Sequence, residues 1–153
     1  MRKIYRYGGV LLGDVVGLGK TLMATAIARL LQEDNDYNTQ VICPPKLTPM
    51  WDWHFQNYQI TGKVVSLGSV TKELPTLPRY RLVIIGEFHH LRNRENKSYR
   101  AIKEYIDRNE SRVLLLTATP FNKHSSDISN QIRLFVDETE DLHVQHPTIS
   151  YAA

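Results

Sequence analysis

Gly9-Val10-Leu11-Leu12-Gly13-Asp14-Val15-Val16-Gly17-Leu18-Gly19-Lys20-Thr21 is the stretch that decides the fold. A short apolar run ends in a glycine and a polar turn. From Lys20 to Gln32 the residues Leu22, Met23, Ala26, Ile27, Leu30 and Leu31 then recur at helical spacing and predict one apolar face. Strand, glycine-rich turn and helix together form a phosphate cradle: glycine leaves backbone N–H groups unobstructed, and the helix N-terminus adds partial positive charge. In that arrangement Gly17, Leu18 and Gly19 form the loop, Lys20 reaches the β and γ phosphates of a nucleotide, and the Thr21 hydroxyl ligates magnesium. The usual first glycine of such a loop is Asp14 here. A turn that binds nothing is the plainer account, and the Gly-x-Gly-Lys-Thr core in its strand–helix setting argues against it.

Outward from this stretch, β-prone runs alternate with helical ones, the pattern of βαβ units and a mostly parallel sheet. Gln40 to Cys43 reads as a second strand stopped by Pro44-Pro45, Leu47 to Tyr58 as a Trp-rich helix, and Lys63 to Leu67 as a third strand. Val70 to Tyr80 carries two prolines without a clear period and reads as loop. Arg81 to Ile85 is apolar on both faces, as in a buried parallel strand. Helix over Tyr99 to Asn109, strand over Arg112 to Leu116 and helix over Asp127 to Val136 complete the pattern.

A chain of 153 residues fits one domain of ordinary size. No apolar run approaches the ~18 residues that cross a bilayer, so no membrane partner is expected. Met1 to Tyr7 is basic but lacks the apolar stretch and cleavage site of a signal peptide. Cys43, the single cysteine, excludes an intrachain disulfide and suits an intracellular setting, cytoplasmic or nucleoid-associated. It reads as a buried strand residue. The net charge of +3 suits a polyanionic partner, although many solvated surfaces carry as much.

Gly9 to Thr21 resembles motif I of superfamily-two helicases, particularly the Swi/Snf-like branch, which commonly carries an acidic residue where Asp14 stands. The resemblance runs from about Gly8 to Val136. Ile42-Cys43-Pro44-Pro45-Lys46-Leu47 with Trp51 resembles motif Ia, which implies that Lys46 and Thr48 lie near a nucleic-acid phosphate as register-setting contacts. Read without the resemblance, the prolines end a strand, and Trp51 is taken as core.

Val83-Ile84-Ile85-Gly86-Glu87-Phe88-His89-His90 resembles the DExH form of motif II. The resemblance implies Glu87 as general base and His89 as the histidine coupling nucleotide state to motion. The magnesium-holding Asp of the family is replaced by Gly86. A carboxylate there is a hard oxygen ligand, and glycine offers nothing in its place. His89, His90 and His124 have no spacing that resembles a zinc site. Leu115-Leu116-Thr117-Ala118-Thr119-Pro120 resembles motif III, with Thr117 and Thr119 as the coupling hydroxyls. Arg92, Asn93, Arg94 and Lys97 form a basic cluster that follows a phosphate backbone or simply opens a solvated helix.

The expectation is a three-layer RecA-like α/β domain over 8–137, a short extension at 1–7 and a tail or linker at 138–153. The motif order implies the first of two RecA-like lobes in a motor that uses ATP and Mg2+ to move on DNA, ahead of RNA. The second lobe supplies an arginine finger, which contributes ~10³ to 10⁵ in rate. The chain alone should therefore bind nucleotide but hydrolyse little. A nucleotide-gated scaffold without catalysis is the alternative, favoured by Gly86. A small-molecule kinase would leave Glu87 to His90 and Thr117 to Pro120 unexplained.

Overall fold

Among the described residues five β-strands and four α-helices alternate: β1 Gly9–Gly13, α1 Lys20–Asn35, β2 Thr39–Cys43, α2 Thr48–Asn57, β3 Gly62–Ser66, α3 Val70–Glu73, β4 Leu82–Ile85, α4 Lys97–Asn109 and β5 Arg112–Thr117. The computed structural model describes residues 9–13, 19–86 and 96–117, and of 10–13 and 117 the main chain alone. The helix expected over Asp127 to Val136 and the tail lie outside the described residues.

The strands order as β1-β5-β4-β2-β3, and each neighbouring pair is parallel. Parallel neighbours need crossover connections, which the helices provide. Strand side chains alternate between faces, and both faces here are apolar. Ile42, Val83, Ile85, Val113 and Leu115 pack with Val70, Leu74, Tyr99, Ile102 and Tyr105 from the α3 and α4 layer. Val41, Cys43, Leu82, Ile84, Leu114 and Leu116 pack with Ala24, Ala28, Leu31, Trp51 and Phe55 from the α1 and α2 layer. The result is the expected three-layer architecture.

Local chemistry sets the element ends. Asn96 caps α4 by accepting a hydrogen bond from the Ser98 N–H at 2.9 Å. α1 and α4 end at Asp36 and Glu110, which take left-handed backbone angles (φ 56° and 51°). The Tyr105 hydroxyl donates to the Pro78 carbonyl at 2.6 Å and accepts from the Tyr80 N–H at 3.0 Å, tying the approach to β4 onto α4.

Two expectations are corrected. Val70 to Tyr80 is not all loop: α3 is followed by a 3₁₀ turn at Leu74–Thr76. Val70 and Leu74 are buried, and the Ser69 hydroxyl donates to the Ser66 carbonyl or the Glu73 carboxylate, both at 3.1 Å. These contacts organise a segment whose prolines suggested irregularity. The apolar face predicted for α1 is borne out at Leu31 and Ile27, which are buried and half-buried, but not at Leu22, Met23, Ala26 and Leu30. Leu22, Met23 and Leu30 are 51%, 53% and 46% exposed, whereas Ala24, Thr25, Ala28 and Leu31 are buried. The small side chains of Ala24 and Ala28 let the helix sit close to the sheet, while Leu22, Met23 and Leu30 point away. Cys43 and Trp51 are core residues, as read from the sequence.

Candidate nucleotide site

The carboxyl ends of β1, β5 and β4 stand side by side, and in open α/β sheets ligands bind outside such ends. Gly13 pairs in register with Thr117, and Ile85 pairs with Leu115. With β5 between them, the exits of β1 and β4 are about 10 Å apart, two strand spacings. The segments resembling motifs I, III and II therefore leave the sheet along one edge.

Gly19 and Lys20 open α1, a helix of 16 residues. No side chain caps this end and no acidic residue lies in its first turn, so the helix dipole is left to attract an anion. A β-carbon on Gly19 would meet nothing within 4 Å, which leaves room for a ligand close to the backbone. Lys20 is buried at 9% exposure, and Thr21 is half-buried one residue further on. The Thr21 carbonyl accepts from the Thr25 hydroxyl at 2.7 Å, so its own hydroxyl is not spent on that bond.

Gly86 leaves β4 with its N–H donated to the Ile42 carbonyl at 2.9 Å. A β-carbon at this position would lie 3.7 Å from Cys43 Cβ, 3.7 Å from Trp51 Nε1 and 3.9 Å from the Ile42 oxygen. These are ordinary van der Waals separations, and the backbone there does not demand glycine. The missing carboxylate is thus a chemical difference and not a steric necessity. The closeness of Trp51 was not visible in the sequence, because 35 residues and a crossover separate the two positions.

Magnesium does not fit the described residues well. Thr21 offers one hydroxyl, Gly86 offers no side-chain oxygen, and among the described residues no group of three His, Cys, Asp or Glu could hold an ion. Asp14, Gly17, Leu18, Glu87, His89 and Thr119 lie outside the described residues, as do Arg92 to Arg94, and Thr117 is described in its main chain alone.

Lys46 is exposed in a 3₁₀ turn, Pro45–Leu47, at the carboxyl end of β2. Thr48 is half-buried, and its hydroxyl donates to the Pro45 carbonyl at 2.9 Å, fixing that turn. Lys97 is exposed and opens α4. Next to Gly86, burial, and secondarily the nearby Asp52 carboxylate, push the Cys43 thiol up to about 12. Burial also lowers the His54 pKa on α2, where the ring stacks on Tyr58 at 5.8 Å.

Residues 49–122 match the family model described as type III restriction enzyme, res subunit. A SWI/SNF-related matrix-associated actin-dependent regulator of chromatin subfamily A-like protein 1 from Bos taurus is 29% identical over 150 residues, covering 84% of this chain and 16% of the bovine protein. An uncharacterized ATP-dependent helicase, YqhH, from Bacillus subtilis is 28% identical over 148 residues, covering 83% of this chain and 26% of the bacterial protein. The chain thus spans about a quarter or less of these relatives' length. In three dimensions it is similar to the Sulfolobus solfataricus SWI2/SNF2 ATPase core in complex with dsDNA, with a TM-score of 0.71 at 18% identity over 88% of this chain and 34% of that one. The chain is thus similar in sequence to superfamily-two, Swi/Snf-like helicases and has the RecA-like fold of their motor domains.

Proposed function

We propose that this chain is the first, ATP-binding lobe of a DNA-dependent motor, spanning residues 8–137 and working with a second RecA-like lobe of its parent protein. The observation that carries the reading is the shared edge of β1, β5 and β4, where Gly13, Thr117 and Gly86 leave the sheet together. Gly17 to Thr21 cradle the phosphates, with Lys20 on the β and γ groups. Glu87 orients the attacking water, while His89, Thr117 and Thr119 relay nucleotide state. Lys46 and Thr48 contact the DNA backbone. DNA is preferred to RNA because one structural relative was solved on duplex DNA. The match to only 16% of the bovine relative supports a parent protein with further parts.

Gly86 weakens hydrolysis in this reading, since the position that would carry the metal-side carboxylate has no oxygen to offer. The test is binding of a non-hydrolysable ATP analogue with and without magnesium, beside Gly86→Asp. Magnesium-independent binding by the original chain and magnesium-dependent binding by the variant are expected. Absence of binding in both would overturn the reading.

Gly86 also favours a second reading, a nucleotide-gated scaffold that does not hydrolyse. Hydrolysis by the parent protein carrying Gly86→Asp separates the two. A gain of orders of magnitude identifies a disabled motor, and no gain identifies the scaffold.

A further inference from the structure

The indole of Trp51 is 1% exposed and lies on the sheet face toward which a side chain at position 86 would point. Its Nε1 is 3.7 Å from the place of a β-carbon there. Trp51 makes a ring contact with His54 at 6.1 Å. Cys43 Cβ forms the other wall at 3.7 Å, and the nearby Ile42 carbonyl already accepts the Gly86 N–H. The three atoms nearest to that β-carbon are uncharged, and the Asp52 carboxylate is felt at Cys43.

We propose that Trp51 is a positioning residue for an acidic side chain at position 86, its indole N–H being the hydrogen-bond donor that such a carboxylate would meet. The proposal rests on the reading of position 86 as the metal-side position of the motor. Two bonds beyond Cβ, a carboxylate oxygen comes within about 2.7–3.2 Å of that nitrogen by rotation about χ1. A carboxylate against the buried indole of Trp51 needs a donor. Holding one oxygen on Trp51 fixes the rotamer of such a side chain, as outer-shell partners do for ligating groups. Trp51 follows β2 and position 86 ends β4, so the same contact ties the segment resembling motif Ia to the one resembling motif II.

The test follows the two indole N–H protons by NMR, with the exposed Trp53 as internal reference. In Gly86→Asp the Trp51 proton is expected to move downfield and to exchange with solvent at least ~10-fold more slowly, the effect of a hydrogen bond to a charged group. Gly86→Ala adds a β-carbon without an acceptor and should leave exchange unchanged, separating hydrogen bonding from packing. Gly86→Asn, whose side-chain carbonyl can accept, serves if the acidic variant does not fold. Exchange as fast in Gly86→Asp and Gly86→Asn as in Gly86→Ala overturns the proposal.

Analogue binding keeps the two readings apart. If Gly86→Asp gains magnesium-dependent binding while the Trp51 proton is unprotected, the proposal fails and the motor reading stands. If the proton is protected and nothing binds, the contact stands and the motor reading fails. If both hold, adding Trp51→Phe to Gly86→Asp should remove ~10–100-fold of the magnesium-dependent gain.

Discussion

Gly62, the first residue of β3, lies so close to Thr39 on β2 that a β-carbon on it would overlap the Thr39 main-chain carbonyl. The two residues are register partners, and the Thr39 N–H donates to the Thr61 carbonyl at 3.0 Å. Gly62→Ala must therefore shift backbone, not merely a side chain. It should destabilise the domain by more than about 3 kcal/mol, in the severe tail of single substitutions. Gly86→Ala meets only ordinary contacts and should change stability by less than about 1 kcal/mol. Urea unfolding midpoints of the two variants check the contrast.

Lys20 is buried where α1 begins, and the proposed role sets its charge against phosphate. Lys20→Ala should lower affinity for an ATP analogue by ~10–100-fold, the range for losing a hydrogen bond to a charged group. Calorimetric titration measures this directly. An unchanged affinity would remove Lys20 from the site.

Cys43 offers a prediction in pH. Burial favours its neutral thiol, with a pKa of about 12 against the ordinary 9.0, so the native state holds this proton more tightly than the unfolded chain. The stability this group contributes is fully present below pH 9 and declines as pH rises from there toward about 12. At pH 8 the thiol is held almost wholly neutral in the folded protein. Thiol reagents should therefore label native protein very slowly and urea-unfolded protein rapidly. Fast native labelling would show that the end of β2 opens readily.

The phase of α1 can be checked by paired truncations. Leu31→Ala removes a fully buried side chain and should cost about 2–5 kcal/mol. Leu30→Ala removes one that is 46% exposed and should cost less than about 1 kcal/mol. Equal losses would show that both side chains are covered in solution.

These cases mark what was legible in the chain. β2, β4 and β5 were read to within about a residue because strands buried on both faces are continuously apolar, as Leu82 to Ile85 and Val113 to Leu116 are. The facing side of α1 was not, because hydrophobicity counts Leu22 and Met23 above Ala24 and Ala28. The distance between helix and sheet selects the smaller pair. Pro75 and Pro78 suggested loop, while the hydrogen bonds of Ser69 that organise α3 are too local to leave a period. Within the site, Lys20 and Gly86 could be named from motif spacing. The meeting of Trp51 with position 86 depends on β4 settling beside β2, a tertiary event without a local signal.

The sheet order has a consequence for the chain during its synthesis. Among the described residues β1 pairs only with β5, so Gly9 waits for Val113, about a hundred residues later. Pairings this distant in sequence form late, because a long loop must close first. While the chain emerges from the ribosome, β1 has no neighbour among these strands until the last of them is made. A nascent chain halted before Arg112 would expose the edge of β1 to other strands.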